Sequence, residues 1–205
     1  MDKNKQHWEN VFSTKNPNEV SWTQPYPKTA MDYLESLNLP KTANIIDIGG
    51  GDSNFVDALL EKGYQNIWVL DISAAALEKT KIRLGAKANK VHFIVADITE
   101  FETDLQFDFW YDRDVFHFLT NDLSINKYVN LVNKSLLING NFLLGTFSEN
   151  GPLKCSGLEI KQYTEIEMLN TFKSSLKKTK CFKEVHTTPF NTTQEFQFCG
   201  FTKIK

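Results

Sequence analysis

From residue 44 onward, short apolar runs alternate with stretches of helical spacing. Asn44–Ile48 is an apolar run that stops at glycines, and in Asn54–Lys62 the residues Phe55, Ala58 and Leu59 recur at helical intervals. Ile67–Leu70 predicts the next strand. Ser73 is placed to cap a helix over Ala74–Leu84, which Gly85 closes. Val91–Val95, Phe107–Tyr111 and Phe142–Thr146 predict further strands, with a helix around Leu123–Leu137 before the last of them. Thr164 and Glu167 have the spacing of a capping box, opening a helix over Glu165–Leu176. Phe182–Thr187 and Glu195–Ile204 follow as two strands joined by a turn around Pro189–Thr192. Strands alternating with helices predict an α/β fold. It is a doubly wound, Rossmann-like, mostly parallel seven-stranded sheet covered on both faces, with an antiparallel C-terminal strand.

The first 40 residues have a different pattern. Lys3–Phe12 has the spacing of a short helix carrying Trp8 and Phe12, and Thr14–Pro27 is a loop holding Trp22 and Tyr26. A helix over Thr29–Leu37, with Met31, Leu34 and Leu37 on one face, stops before Pro40. No repeat, low-complexity tract or flexible linker divides the chain. The 205 residues are expected to form a single domain, with 1–40 as a helical cap or lid and 41–205 as the core.

Composition narrows the function classes. With 41% hydrophobic and 23% charged residues the chain suits a packed globular protein. No apolar run reaches the ~18–20 residues of a membrane span. The N-terminus lacks the apolar centre of a secretory signal, so a cytoplasmic protein is expected, as a monomer or weak homodimer. A net charge of -2, with 21 lysines against only Arg83 and Arg113, argues against nucleic acid as a partner. Cys155, Cys181 and Cys199 are odd in number and widely spaced. That pattern fits a reducing compartment and offers no metal site.

The chemistry is concentrated where the first strand ends, in Ile45-Ile46-Asp47-Ile48-Gly49-Gly50-Gly51-Asp52-Ser53-Asn54. A phosphate loop would need Gly-Lys-Ser/Thr here, and a dinucleotide fingerprint would need glycine where Asn54 stands. The template D/E-x-G-x-G-x-G/S is met at every position by Asp47, Gly49, Gly51 and Ser53. The second strand ends at Asp71, followed by Ile72 and 24 residues beyond Asp47, where an acid can accept hydrogen bonds from ribose hydroxyls. The third runs into Asp97-Ile98, suited to an exocyclic amine and the face of a purine. The fourth ends Tyr111-Asp112-Arg113. Four consecutive strands thus each carry a carboxylate to one edge of the sheet.

In this order of motifs, over about residues 40–205, the chain resembles the class I S-adenosylmethionine-dependent methyltransferases. The resemblance implies that Asp47, Gly49, Gly50 and Gly51 line the methionine side of S-adenosylmethionine. It implies that Asp71 with Ile72 holds the ribose and Asp97 with Ile98 the adenine. Trp110-Tyr111-Asp112-Arg113-Asp114 is similar to the Asp-Arg strand end of thiopurine methyltransferase-like enzymes, although their glycine is Asp114 here. Val20-Ser21-Trp22 is similar to their aromatic loop over the cofactor. Asp112, Arg113 and Trp22 therefore join the expected cofactor set. S-adenosylhomocysteine would be the product.

His117, after the fourth strand, is a candidate general base, and equally a partly buried histidine of the substrate-side loop. The loop Gly151–Gly157 around Cys155 is expected to wall the acceptor pocket. A small-molecule acceptor is expected under the aromatic cap, and a protein lysine is the rival. From other classes, a nicotinamide-dependent oxidoreductase has Asn54 and the missing Tyr-x-x-x-Lys pair against it. A cofactor-binding module without catalysis shares every one of these residues.

Overall fold

A computed structural model describes residues 3–205. Helix α1 (Lys3–Thr14) and α2 (Lys28–Ser36) precede β1 (Asn44–Ile48), α3 (Phe55–Glu61), β2 (Asn66–Asp71), α4 (Ala74–Leu84), β3 (Val91–Val95) and β4 (Phe107–Arg113). Then come α5 (Asp122–Ser135), β5 (Leu136–Phe147), the small hairpin β6 (Lys154–Cys155) and β7 (Leu158–Glu159), α6 (Glu165–Phe172), β8 (Leu176–Thr187) and β9 (Thr193–Lys203). The large sheet has the seven strands that the alternation predicts, and their order is β3-β2-β1-β4-β5-β9-β8. β1 to β5 pair in parallel, and β9 is antiparallel to both neighbours. The strand order reverses between β1 and β4, where doubly wound folds bind ligands.

Alternation along each strand splits the core between the two faces. Ile45, Val69, Phe109 and Leu143 pack with α2, α3 and α4. Ile46, Leu70, Trp110 and Phe142 pack with α5 and α6. This parity decides which strand-end side chains face the cavity. Ser73 caps α4 through the Ala76 N–H, and Thr164 with Glu167 closes the predicted capping box on α6. No described helix is long and apolar enough to cross a membrane.

Two boundaries differ from the sequence pattern. The helix expected through Leu137 stops at Ser135, because Leu136 is buried opposite Phe107 as the first residue of β5. Asn139 at positive φ and an irregularity in the ladder then separate it from Phe142. The helix expected through Leu176 stops at Phe172, and Leu176 opens β8. Lys177, Lys178 and Lys180 hid that strand because they project to solvent from a sheet edge, where charge blocks pairing with other chains. The β8–β9 register also sets Cys181 opposite Cys199, with Cα atoms 4.2 Å apart, and the two form a disulfide. Spacing along the chain gave no sign of this pair, so the cysteine pattern carries no argument about compartment. Cys155 is free and buried.

Candidate active site at the carboxyl edge of the sheet

The turn after β1 is shaped by what packs against it. Gly49 has φ +67°, and a Cβ there would stand 2.1 Å from Val115 Cγ2. A Cβ on Gly51 would stand 2.5 Å from Asp71 Oδ2. Glycine at 51 lets its own N–H donate to that oxygen at 3.0 Å, while Asp71 Oδ1 accepts from Ser73 N–H at 2.8 Å. Burial pushes the Asp71 carboxyl up to about 6 against these two bonds, which favour its ionised form. Arg83 secures the outer side of the loop, donating to Asp52 at 2.7 Å and to the Ser53 carbonyl at 2.7 Å.

Asp47 lies deeper. It is 2% exposed and lines the cavity, and its Oδ2 has no hydrogen-bond partner among the described residues. Burial first, then the Asp112 and Asp71 carboxylates, raise its affinity for a proton well above the ordinary value. A buried oxygen left this way is costly until a donor or cation reaches it. At the next strand end, Asp97 Oδ1 accepts from the Thr99 N–H and hydroxyl at 2.8 and 2.7 Å, and Ile98 is buried beside it.

Asp112 requires a correction. Tyr111 and Arg113 line the cavity, but Asp112 faces the other side of the sheet with Trp110. Its Oδ1 accepts from the Val115 and Phe116 N–H groups at 3.0 and 3.3 Å, and its Oδ2 accepts from the Tyr128 hydroxyl. The residue is fully buried and its carboxyl is pushed up to about 7, chiefly by burial. Strand parity therefore places it outside the cavity lining expected of it and makes it the anchor of the turn after β4. Nor does it pair with Arg113, whose Nη1 lies 3.0 Å from Asp114 Oδ2.

His117 also lies outside the cavity lining. It is fully buried, stacked on Phe147 with ring centroids 4.8 Å apart, and neither ring nitrogen has a partner among the described residues. Burial, helped by the Arg113 charge, lowers its pKa to about 3. An imidazole with so little affinity for a proton, set behind the cavity wall, does not fit the role of a general base.

The N-terminal segment lines one wall of the cavity. Trp8, Phe12 and Trp22 form an aromatic wall in edge and tilted contacts, with Phe118 against Trp8 at 5.2 Å. The Trp22 carbonyl accepts from Arg113 Nη1 at 3.0 Å, and the guanidinium lies 4.6 Å from the centre of the Phe196 ring. Asn54 donates to the Gln24 and Pro25 carbonyls at 2.9 and 3.3 Å, tying the same loop to the glycine turn. Glu9 reaches from α1 to the first turn of α4, accepting from the Ser73 hydroxyl at 2.8 Å and the Ala75 N–H at 3.1 Å. That is a favourable place for a carboxylate, beside free N–H groups and the positive end of the helix dipole.

One cavity thus gathers Trp22, Asp47, Gly49, Asp71, Ile72, Asp97, Ile98 and Arg113 from the expected set, and Cys155 as a wall residue. Gly50 and Gly51 lie behind its surface, making room for Asp47 and Asp71: a Cβ on Gly50 would stand 2.2 Å from Asp47 Oδ2. Sequence reasoning missed Tyr111, Asp114 and Glu9. Parity with Arg113 was a signal for Tyr111, whereas nothing near Glu9 in the chain points to Ser73. Among the described residues, five aspartates (47, 52, 71, 97 and 114) line the cavity against a single arginine. Such a wall suits a cation and repels a pyrophosphate.

Residues 45–137 match a methyltransferase domain. The whole chain superposes on the N-methyltransferase NodS from Bradyrhizobium japonicum, solved with S-adenosylhomocysteine. The TM-score is 0.77 at 16% identity, with all of both chains covered. It also superposes on Burkholderia thailandensis 1,6-didemethyltoxoflavin-N1-methyltransferase, solved with its namesake substrate and S-adenosylhomocysteine. There the TM-score is 0.72 at 15% identity, covering 98% of this chain and 84% of that one. The fold is that of these methyltransferases. In sequence, the chain is 27% identical over 177 residues to EEF1A lysine methyltransferase 2 of Danio rerio, a stretch covering 83% of this chain. It spans 66% of that relative's length and smaller shares of three other curated relatives.

Proposed function

We propose that this protein binds S-adenosylmethionine and transfers its methyl group to a nucleophilic nitrogen, oxygen or sulfur of a small molecule. Residues 1–40 act as the lid of a single domain. The observation that carries this reading is the acid-lined cavity, with Asp47 Oδ2 buried and unpartnered inside it. S-adenosylmethionine fits that lining because it brings a sulfonium, an ammonium and ribose hydroxyls. Asp47 and the Gly49 turn would hold the methionine end, Asp71 with Ile72 the ribose, and Asp97 with Ile98 the adenine. Trp22 would lie over the sulfonium side, where an aromatic face attracts a cation by ~0.5–2 kcal/mol.

The bound cofactor supplies a methyl group already activated by its sulfonium. The protein's work is to align the acceptor and exclude water, which contributes up to ~7–11 kcal/mol when reacting atoms are held in line. Arg113 serves alignment by fixing the Trp22 peptide, and the ring wall of Trp8, Phe12, Trp22 and Phe118 excludes water. No base is required of His117. His117→Gln is expected to lower stability through lost packing while leaving the pH dependence of turnover unchanged between pH 6 and 9. A neutral limb present in the wild type and absent from the variant would restore the base role.

Asn54 spends its side chain on the lid instead of opening a path to a pyrophosphate, which disfavours a nicotinamide cofactor. The zebrafish relative's name supports a second reading with the same chemistry, in which the acceptor is a protein lysine. The similarity to thiopurine methyltransferase-like enzymes rests on Trp110–Asp114 and on Val20-Ser21-Trp22; Trp22 and Arg113 line the cavity, whereas Asp112 faces away from it.

Calorimetric titration with S-adenosylhomocysteine, with NADH in parallel, tests the assignment. Micromolar binding of the first and none of the second is expected, and the reverse would overturn it. Methyl transfer to members of an acceptor panel would separate an enzyme from a silent binding module.

A further inference from the structure

The turn after β4 carries a residue in a conformation that side chains avoid. Asp114 has φ +81°, and its N–H donates to the Gly145 carbonyl at 3.2 Å, so the strained backbone is held against β5. Left-handed backbone at a non-glycine residue is strained, and such strain clusters at functional sites. Here it delivers a carboxylate into the cavity. Both Asp114 oxygens are buried and neither has a hydrogen-bond partner among the described residues. Arg113 Nη1 lies 3.0 Å from Oδ2 as an ion pair while also donating to the Trp22 carbonyl, and the Nε and Nη2 of the same guanidinium have no hydrogen-bond partner among the described residues, so Oδ1 is the oxygen left open to a ligand. His117 Nδ1 stands 3.9 Å from Oδ1, and its ring is neutral.

We propose that Asp114 is the acceptor-recognition residue and that the methyl acceptor is an amine whose N–H groups it receives. This rests on the methyl-transfer reading of the cavity and narrows its substrate class. The acids suited to the ribose and adenine, Asp71 and Asp97, lie at the ends of β2 and β3. Asp114 lies beyond β4 and acts electrostatically on Cys155, a wall residue of the same cavity carried by the β6–β7 hairpin. The rings of Trp8, Trp22 and Phe118 add an aromatic wall to this carboxylate, and together they suit an organic cation.

Other acceptor classes fare worse at this position. A carboxylate would meet the like charge of Asp114. A thiol would have to ionise there, and Cys155 reports the environment: burial and the Asp114 charge push its thiol up, away from the nucleophilic thiolate. An amine would bind with its N–H groups toward Asp114 Oδ1 and give up one proton to that carboxylate; the freed lone pair would then form the N–CH3 bond as the S–CH3 bond of the sulfonium breaks and S-adenosylhomocysteine leaves.

The test uses three probes with one aromatic tail and different heads: 2-phenylethylamine, 2-phenylethanethiol and 3-phenylpropanoate. Each is titrated calorimetrically into the full chain saturated with S-adenosylhomocysteine, as wild type, Asp114→Asn and Asp114→Gly. Asparagine keeps the size and tolerates positive φ, while glycine relieves the strain, so the two variants perturb folding differently. The wild type is expected to prefer the amine at least tenfold over either other probe. Both variants should lose that preference, and Asp114→Gly should turn toward the carboxylate because Arg113 is then uncompensated. S-adenosylhomocysteine affinity should stay within twofold.

Absence of an amine preference in the wild type, whether the probes bind alike or not at all, overturns the proposal. So does loss of S-adenosylhomocysteine affinity in the variants with probe preference intact, which would give Asp114 to the cofactor. Failure of the wild type to bind S-adenosylhomocysteine would instead overturn the methyl-transfer reading beneath it.

Discussion

Asp71→Ala should weaken S-adenosylhomocysteine binding about 100-fold, or ~3 kcal/mol. The carboxylate has two duties. It accepts from the Gly51 and Ser73 N–H groups at 3.0 and 2.8 Å, which orders the glycine turn and the start of α4 around one buried anion. Its remaining lone pairs face the cavity, where two ribose hydroxyls would be received. Alanine removes the charge-assisted bonds to the ligand, at ~1.5–3 kcal/mol, and leaves two buried donors unsatisfied, at ~1–3 kcal/mol each. Part of the second cost falls on the unliganded fold, so the melting temperature should drop as well. Asp71→Asn keeps one acceptor oxygen and should retain more of the fold than of the affinity. Calorimetry on wild type and both variants decides the matter. An unchanged dissociation constant for Asp71→Ala would remove the residue from the ribose.

Asp112→Asn should behave in the opposite way, leaving binding nearly intact and changing how stability depends on pH. Asp112 is fully buried and its folded-state pKa is raised from 3.8 to about 7, with burial the main cause. Between these values the folded state holds a proton that the unfolded chain releases. The stability contributed by the protonated acid is therefore complete below about pH 4 and lost as pH rises through about 7. Asparagine does not titrate. It keeps an acceptor for the Val115 and Phe116 N–H groups, and its amide can donate to Tyr128. The variant should gain about 2–3 kcal/mol on the wild type between pH 5 and pH 8, measured by urea unfolding at both values. Parallel stability profiles for the two proteins would show that Asp112 does not titrate in this window.

Much of this architecture is local, and local information is what a sequence carries openly. Capping of α4 by Ser73, the capping box of α6 and the apolar runs of β1 to β4 follow from neighbouring residues and their periodicity. The glycine turn was legible for the same reason, together with the chain order of Asp47, Asp71 and Asp97. The backbone at each strand end is set within a few residues, and parallel strands bring those ends to one edge of the sheet. That determined the fold class and the edge of the sheet at which the cavity lies.

Tertiary structure decided what each side chain does there. Asp112 and Arg113 are adjacent in the chain, yet sheet parity sends one under Tyr128 and the other into the cavity. His117 became a neutral packing residue only because Phe147 and the loop around it exclude water. Glu9 meets Ser73, and Cys181 meets Cys199, across separations that no spacing rule anticipates. Asp114 acquired its significance the same way, from a left-handed turn fastened to Gly145 and from the desolvation of both oxygens. Backbone conformation is set mostly by near neighbours, whereas burial, charge and pairing depend on whichever distant residues the fold brings within a few ångströms.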